Sequence, residues 1–256
     1  MGNINDNNHK KDTKNNDDNE EEEYYSEMIK DLKVDTQKIE KNLKKYKSYN
    51  KFIVLIESGS LAPPHKMHLG LMENAKKYIE ESDNNYKVIG GYLIPSSDQY
   101  VKYKLRRDFI PLNHRVNMTK LLTKNSDWLE CLDWGFAYGE EIKMLLQLIL
   151  KKKFHKYNIK CILVFGIDYY LRGRIPLKDE HICIYRPGYD INEVKKNYKE
   201  NLIFVEGSDE DISSTKLRKA IREKDEKLIN EITSQEVVDY INKNNIFYEN
   251  QNNDGK

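Results

Sequence analysis

The segment Ser58-Gly59-Ser60-Leu61-Ala62-Pro63-Pro64-His65-Lys66-Met67-His68 concentrates groups that handle phosphate. Gly59 lets the backbone approach a phosphate closely and Ser60 adds a hydroxyl. A helix opening near Met67 would point its free amides at the same place. His65 and His68, three residues apart, share one face of that first turn, and either ring can donate hydrogen bonds to phosphate oxygens. Two other readings stand beside this one: a surface loop with incidental histidines, or a metal pair. The metal would need a third ligand, which the loop does not supply.

Three further segments have the same character. Ser96-Ser97-Asp98-Gln99-Tyr100-Val101-Lys102 opens a long loop that also holds Lys104, Arg106 and Arg107; it is either a solvated basic loop or a cationic clamp over a phosphate. In Phe165-Gly166-Ile167-Asp168 the glycine permits close approach and the aspartate can accept from ribose hydroxyls. Ile212-Ser213-Ser214-Thr215-Lys216-Leu217-Arg218 reads as a hydroxyl-rich helix start with cations one turn in, suited to an anion. An ordinary N-cap followed by surface charges has the same appearance.

The elements that would position these loops follow from hydrophobic periodicity. Phe52 to Ile56 is an apolar, β-branched run suited to a buried strand of a parallel sheet. Leu71, Met72, Ala75, Tyr78 and Ile79 then fall on one helical face, and a second strand follows at Val88–Ile94. The alternation continues with a helix from Asn113, a strand at Trp128–Leu132 and a helix at Tyr138–Lys153. Strands at Ile159–Phe165 and His181–Tyr185, a helix at Asn192–Tyr198 and a strand at Leu202–Val205 complete it. This order implies an α/β fold, a Rossmann-like open parallel sheet with helices on both faces, in which ligands bind beyond the carboxyl ends of the strands. Two helices are expected to close the chain, one from Ser213-Ser214-Thr215 and one from a capping box at Thr233-Ser234-Gln235-Glu236.

Of the 256 residues 33% are charged and 38% hydrophobic, a balance that fits one principal domain, at 51–248, with polar appendages. Residues 1–19 and 249–256 are read as disordered, because they carry almost no apolar surface to offset the entropy of ordering. A helical extension is predicted at 20–50, where Tyr25, Met28, Ile29, Leu32, Ile39, Leu43 and Tyr46 form an apolar stripe interrupted at Thr36. That stripe either packs on the adjacent domain or pairs two chains as a coiled coil in a homo-oligomer. A formal net charge of +1 argues against broad nucleic-acid binding. Cys131, Cys161 and Cys183 are odd in number and scattered, so they offer neither a disulfide framework nor a zinc spacing and point to a reducing compartment, cytoplasmic or nuclear. No apolar run approaches the roughly 18 residues of a membrane span, and the polar N-terminus is unlike a signal peptide. After Met1-Gly2-Asn3, Asp6 stands where a myristoylation motif wants Ser or Thr.

Taken in order, the motifs make the chain resemble the nicotinamide mononucleotide adenylyltransferases, most closely the eukaryotic type. The similarity is to GSFNPxxxMHL in Gly59 to Leu69, DxYxK in Asp98 to Lys102 and IPxxHR in Ile110 to Arg115. It runs on through TKNSxW at Thr123 to Trp128, GxD at Gly166 to Asp168 and ISSTKxR at Ile212 to Arg218. Departures are Leu61-Ala62 in place of Phe-Asn, His65 where eukaryotic members usually carry Thr, Tyr138 in place of the Trp that stacks on the pyridine, and no second Trp after Asp168.

The resemblance implies transfer of the adenylyl group of ATP to nicotinamide mononucleotide or nicotinic acid mononucleotide. Mg²⁺ would assist, held mainly by the ATP phosphates rather than by a protein metal site. His68 at the α-phosphate and His65 beside it on the triphosphate are the implied catalytic pair, with Gly59 and Ser60 where the two substrates cross. The stretch Ser214, Thr215, Lys216, Leu217 and Arg218 would hold the outer phosphates of ATP. Lys102 would neutralise the acceptor phosphate, and Ser60, Tyr138, Gly166, Asp168 and Arg186 would contact the mononucleotide or the dinucleotide product. The alternatives are another nucleotidylyltransferase, or a non-catalytic nucleotide-binding or chaperone-like relative.

Overall fold

A computed structural model describes residues 25, 27–83, 85–171, 180–195 and 201–247. Six strands run through it: β1 (Lys51–Gly59), β2 (Tyr86–Pro95), β3 (Leu129–Cys131), β4 (Asn158–Gly166), β5 (His181–Tyr185) and β6 (Leu202–Glu206). They pair in the order β3-β2-β1-β4-β5-β6, every pair parallel. Winding therefore reverses between β1 and β4, and a crevice opens at their carboxyl ends.

Burial on both faces explains the unbroken apolar run of β1. Ile53 and Leu55 join Met72, Ala75 and Leu217 in one core cluster, whereas Phe52, Val54 and Ile56 join Ile39, Leu43, Ile142 and Leu146 in the other. Successive strand side chains alternate between faces, so a strand covered on both sides needs apolar residues at each position. The first face carries the helices Lys66–Ser82, Leu112–Thr123 and Ser214–Glu223; the second carries Gln37–Lys45 and Gly139–Lys153.

The stripe predicted over 20–50 serves the packing role at Ile39 and Leu43, which lie against the sheet. At Gly90 a Cβ would stand 2.6 Å from Cγ1 of Ile39, so glycine is what lets this helix lie directly on β2. The helix is shorter than expected, spanning Gln37–Lys45, and residues 32–36 are non-helical. A tertiary and a local bond override the periodicity there: Tyr92 Oη donates to Asp35 O at 2.6 Å, and Asp35 Oδ1 accepts from Gln37 N at 2.9 Å just before the helix. The tails at 1–19 and 249–256 lie outside the described residues, as does the end of the helix expected at Asn192–Tyr198, which is described over Ile191–Lys195.

Two segments differ from the sequence reading. The basic loop after β2 is a helix, Asp98–Leu105, followed by a 3-10 turn at Arg106–Asp108. Ser97 caps it, its Oγ accepting from Tyr100 N at 3.3 Å. Among the described residues three helices, not two, close the chain: Ser214–Glu223, Glu226–Ile232 and Gln235–Lys243. The expected capping box does not form, since Ser234 is the N-cap of the last helix and makes no side-chain cap bond. The Thr233 hydroxyl instead donates to Pro64 O at 3.1 Å.

Candidate active site

The loop after β1 is built from outside. Pro63 and Pro64 lack amide hydrogens, and Leu61 holds a left-handed φ of 46°, so this turn cannot satisfy its own buried carbonyls and needs remote donors. Arg115 Nη1 donates to Ser60 O at 3.1 Å, Arg218 Nη1 to Ala62 O at 2.9 Å, Ser214 Oγ to Pro63 O at 2.8 Å, and Thr233 Oγ1 to Pro64 O. Arg115, fully buried, also donates to Ser96 O at 2.7 Å, Ile110 O at 2.8 Å and Asp98 Oδ1 at 2.8 Å. One guanidinium thus holds the ends of β1 and β2 together.

These bonds give the last motif a structural role as well. Arg218 donates to Ala62 O, to Thr215 Oγ1 at 3.1 Å and to Asp108 Oδ2 at 3.1 Å. Lys216 pairs with Asp211, Leu217 is wholly buried in the core, and Ser214 ties down the loop. Ser213 caps the helix by accepting from Lys216 N at 3.2 Å. The first-turn amides of Ser214 and Thr215, which the helix itself does not use, are open to an anion.

Asp108 carries a testable electrostatic load. Burial alone would raise its carboxyl, but Arg222 and then Arg218 outweigh that and hold it below the usual carboxylate range. A carboxyl lowered on folding adds stability that is fully present above the unfolded value of about 4 and is lost as pH falls through the lower folded value. Urea unfolding at about pH 7 and about pH 3 should therefore show a smaller acid-induced loss for Asp108→Asn than for the wild type. Equal losses would refute the assignment.

The histidines sit where β1 meets the helix Lys66–Ser82. His65 is its N-cap, and the two rings stack with centroids 4.1 Å apart at 27°. His68 Nδ1 lies 2.6 Å from Glu57 Oε1, a carboxylate 5% exposed at the end of β1. Burial foremost, then the neighbouring His68 and Arg186, push His65 well below the usual imidazole range, which favours its neutral form. Among the described residues, four buried side-chain atoms lack a partner, and three are here: Glu57 Oε2, His65 Nδ1 and His68 Nε2. Buried polar atoms are costly to leave unbonded, which marks the pair as a place built to meet a polar ligand. No group of three or more His, Cys, Asp or Glu among the described residues could hold a metal ion. Glu57 was missed in the sequence reading; an acidic residue continuing an apolar strand was the available signal.

Two cavities flank this centre. One, of about 350 Å³, is lined by Gly59, Ser60, Ser96, Tyr100, Lys104, Tyr138 and Tyr169. The other, of about 210 Å³, is lined by His65, His68, Gly166, Asp168, Arg186 and Ser213, among others. Gly166, Asp168 and Arg186, grouped with Ser60 and Tyr138 on the sequence, therefore lie on the histidine side. The sheet order explains this, because β4 and β5 lie on the opposite flank of β1 from β2. Lys102 does not line either cavity; its Nζ stands 5.0 Å from the Phe109 ring centre, while Lys104 Nζ donates to Ser60 Oγ at 3.0 Å. Once residues 98–105 are helical, Tyr100 and Lys104 share a face and Lys102 points elsewhere.

An open parallel sheet with anion-suited loops and a histidine pair at its switch point defines a Rossmann-like nucleotide-binding protein. Residues 58–220 match the cytidylyltransferase-like family, and the chain belongs to it. Among curated relatives, the nicotinamide/nicotinic acid mononucleotide adenylyltransferase of Arabidopsis thaliana is 27% identical over 77% of this chain and 90% of that protein. Adenylyltransferase 2 of Caenorhabditis elegans is 26% identical over 77% of this chain and 98% of that protein. Adenylyltransferase 1 of Bos taurus is 43% identical over 32% of this chain and 27% of that protein. A solved Plasmodium falciparum nicotinic acid mononucleotide adenylyltransferase complexed with NaAD is similar in fold, with a TM-score of 0.53, 18% identity and coverage of 76% of this chain and 97% of that one.

Proposed function

We propose that this protein transfers the adenylyl group of ATP to the phosphate of nicotinamide mononucleotide or nicotinic acid mononucleotide, releasing pyrophosphate. The observation that carries this is the pair of cavities flanking the loop after β1, one lined by Gly59 and Ser60 and the other by the two histidines, one for each nucleotide; the relatives' names support the choice of nucleotides. The histidine cavity takes ATP, with Asp168 and Gly166 beside the nucleoside and the amides of Ser214 and Thr215 facing its outer phosphates. The cavity of Tyr100, Tyr138 and Tyr169 takes the mononucleotide, its aromatic rings suited to a pyridine.

The acceptor phosphate attacks the α-phosphorus as the bond to pyrophosphate breaks, and needs no protein nucleophile. The chain must align two polyanions and stabilise the charge that moves to the leaving group. His68 Nε2 serves the α-phosphate. Mg²⁺ enters with ATP as the MgATP substrate. The described residues form no helix long and apolar enough to cross a membrane, and the free cysteines support a reducing cytosolic or nuclear setting.

Incubating the purified chain with MgATP and each mononucleotide, and measuring dinucleotide and pyrophosphate, tests the reading; no product from either acceptor refutes it. Within it, Lys104→Ala should raise the KM for the mononucleotide about tenfold, as expected for a lost charge-assisted hydrogen bond. Lys102→Ala should change it by less than about twofold, since a solvated charge off the cavity is worth little. The reverse order would return the acceptor phosphate to Lys102.

A further inference from the structure

We propose that Glu57 is a positioning residue that keeps His68 doubly protonated, with its Nε2–H available to the transferring phosphate, and so decides which ring of the stacked pair carries positive charge. This rests on the adenylyl-transfer reading above. A carboxylate 5% exposed is unfavourable at a strand end unless paired, and its partner here is His68 Nδ1 at 2.6 Å. A neutral imidazole has one N–H. With that proton on Nδ1 to meet Glu57, Nε2 would present a lone pair to phosphate oxygens and repel them. Only the doubly protonated ring donates on both sides.

The neighbouring ring sharpens the choice. Two cations with centroids 4.1 Å apart repel strongly in a buried setting, so one of the two must stay neutral. His65 is that ring: burial, His68 and Arg186 all disfavour its charge, and no carboxylate contacts it among the described residues. The other charged groups on this cavity are Arg186 at the end of β5 and Asp168 after β4. Asp168 Oδ1 accepts from Tyr189 Oη at 3.3 Å, and Arg186 donates to Asp211 Oδ1 and Ile212 O. Among the described residues, Glu57 alone pairs with an imidazole of this stack. No proton is transferred in the step: the Nε2–H bond to a non-bridging oxygen strengthens while the phosphorus changes partners, and the imidazolium is intact afterwards.

The test uses the full chain labelled with ¹⁵N-histidine at about pH 7, where ring nitrogen shifts separate neutral from doubly protonated imidazole. One doubly protonated ring beside a neutral partner is expected. That signature should vanish in His68→Gln, persist in His65→Gln and be lost in Glu57→Gln. In turnover, Glu57→Gln should lower kcat by tens-fold with both KM values within about threefold. In a His68→Ala background the same substitution should have less than a twofold further effect, because Glu57 acts through that ring. A neutral His68 in the wild type, a signature that follows His65 instead, or independent multiplying effects would overturn the proposal. Should the wild type make no dinucleotide, the adenylyl-transfer reading falls, while the ring signatures still decide the role of Glu57; if Glu57→Gln does not fold, the same signature is read in Glu57→Met, where its persistence overturns the proposal.

Discussion

His68→Ala is expected to lower kcat by about two to three orders of magnitude, the cost of removing one preorganised donor to developing charge. The catalytic efficiency, kcat/KM, should fall by a similar factor, since the interaction belongs to the transition state. ATP binding should survive, because the amides of Ser214 and Thr215 and the cavity of Gly166 and Asp168 remain in place. Titration calorimetry with a non-hydrolysable ATP analogue, alongside steady-state kinetics, separates the two effects. A variant that binds ATP normally and turns over like the wild type would make His68 a structural residue. A variant that has lost ATP binding would move its contribution into the ground state.

Arg115→Met should cost about 3–5 kcal/mol of unfolding free energy, since three carbonyls lose their donor at about 1–3 kcal/mol each. The guanidinium is 0% exposed and donates to three carbonyls and one carboxylate. Methionine fills much of the volume but leaves those carbonyls buried and unbonded. Arg115→Lys keeps the charge and loses the planar fork, so it should recover less than half of the loss. Urea unfolding of the three proteins measures this directly. Any folded Arg115→Met protein should also show a raised KM for the mononucleotide, because Ser60 and Ser96, which line that cavity, lose their common tether. Stability within 1 kcal/mol of the wild type, below the usual cost of burying unpaired polar groups, would show that water or a local shift replaces the guanidinium.

The contrast between Arg115 and the strands shows what was legible. β5 falls at His181–Tyr185, as its apolar run predicts, and β1, β2, β4 and β6 extend their predicted cores by a few residues at their ends. These are local signals: a parallel strand covered on both faces must be apolar throughout. The helix Asp98–Leu105 was not legible, since Val101 is its one buried residue and no stripe exists to reveal its period.

By itself the sequence determined the alternation of strands and helices, the four loops at strand ends and the histidine pair, because periodicity, glycine and N-cap chemistry act over a few residues. Tertiary structure alone decided how those loops divide between two cavities, that Lys104 rather than Lys102 lines the one beside Ser60, and that Arg218, Ser214 and Thr233 hold the loop after β1. The last of these depends on partners 151 to 169 residues away along the chain. The physical reason is that a buried carbonyl takes whichever donor the fold brings within reach, and no short-range pattern records which donor that will be.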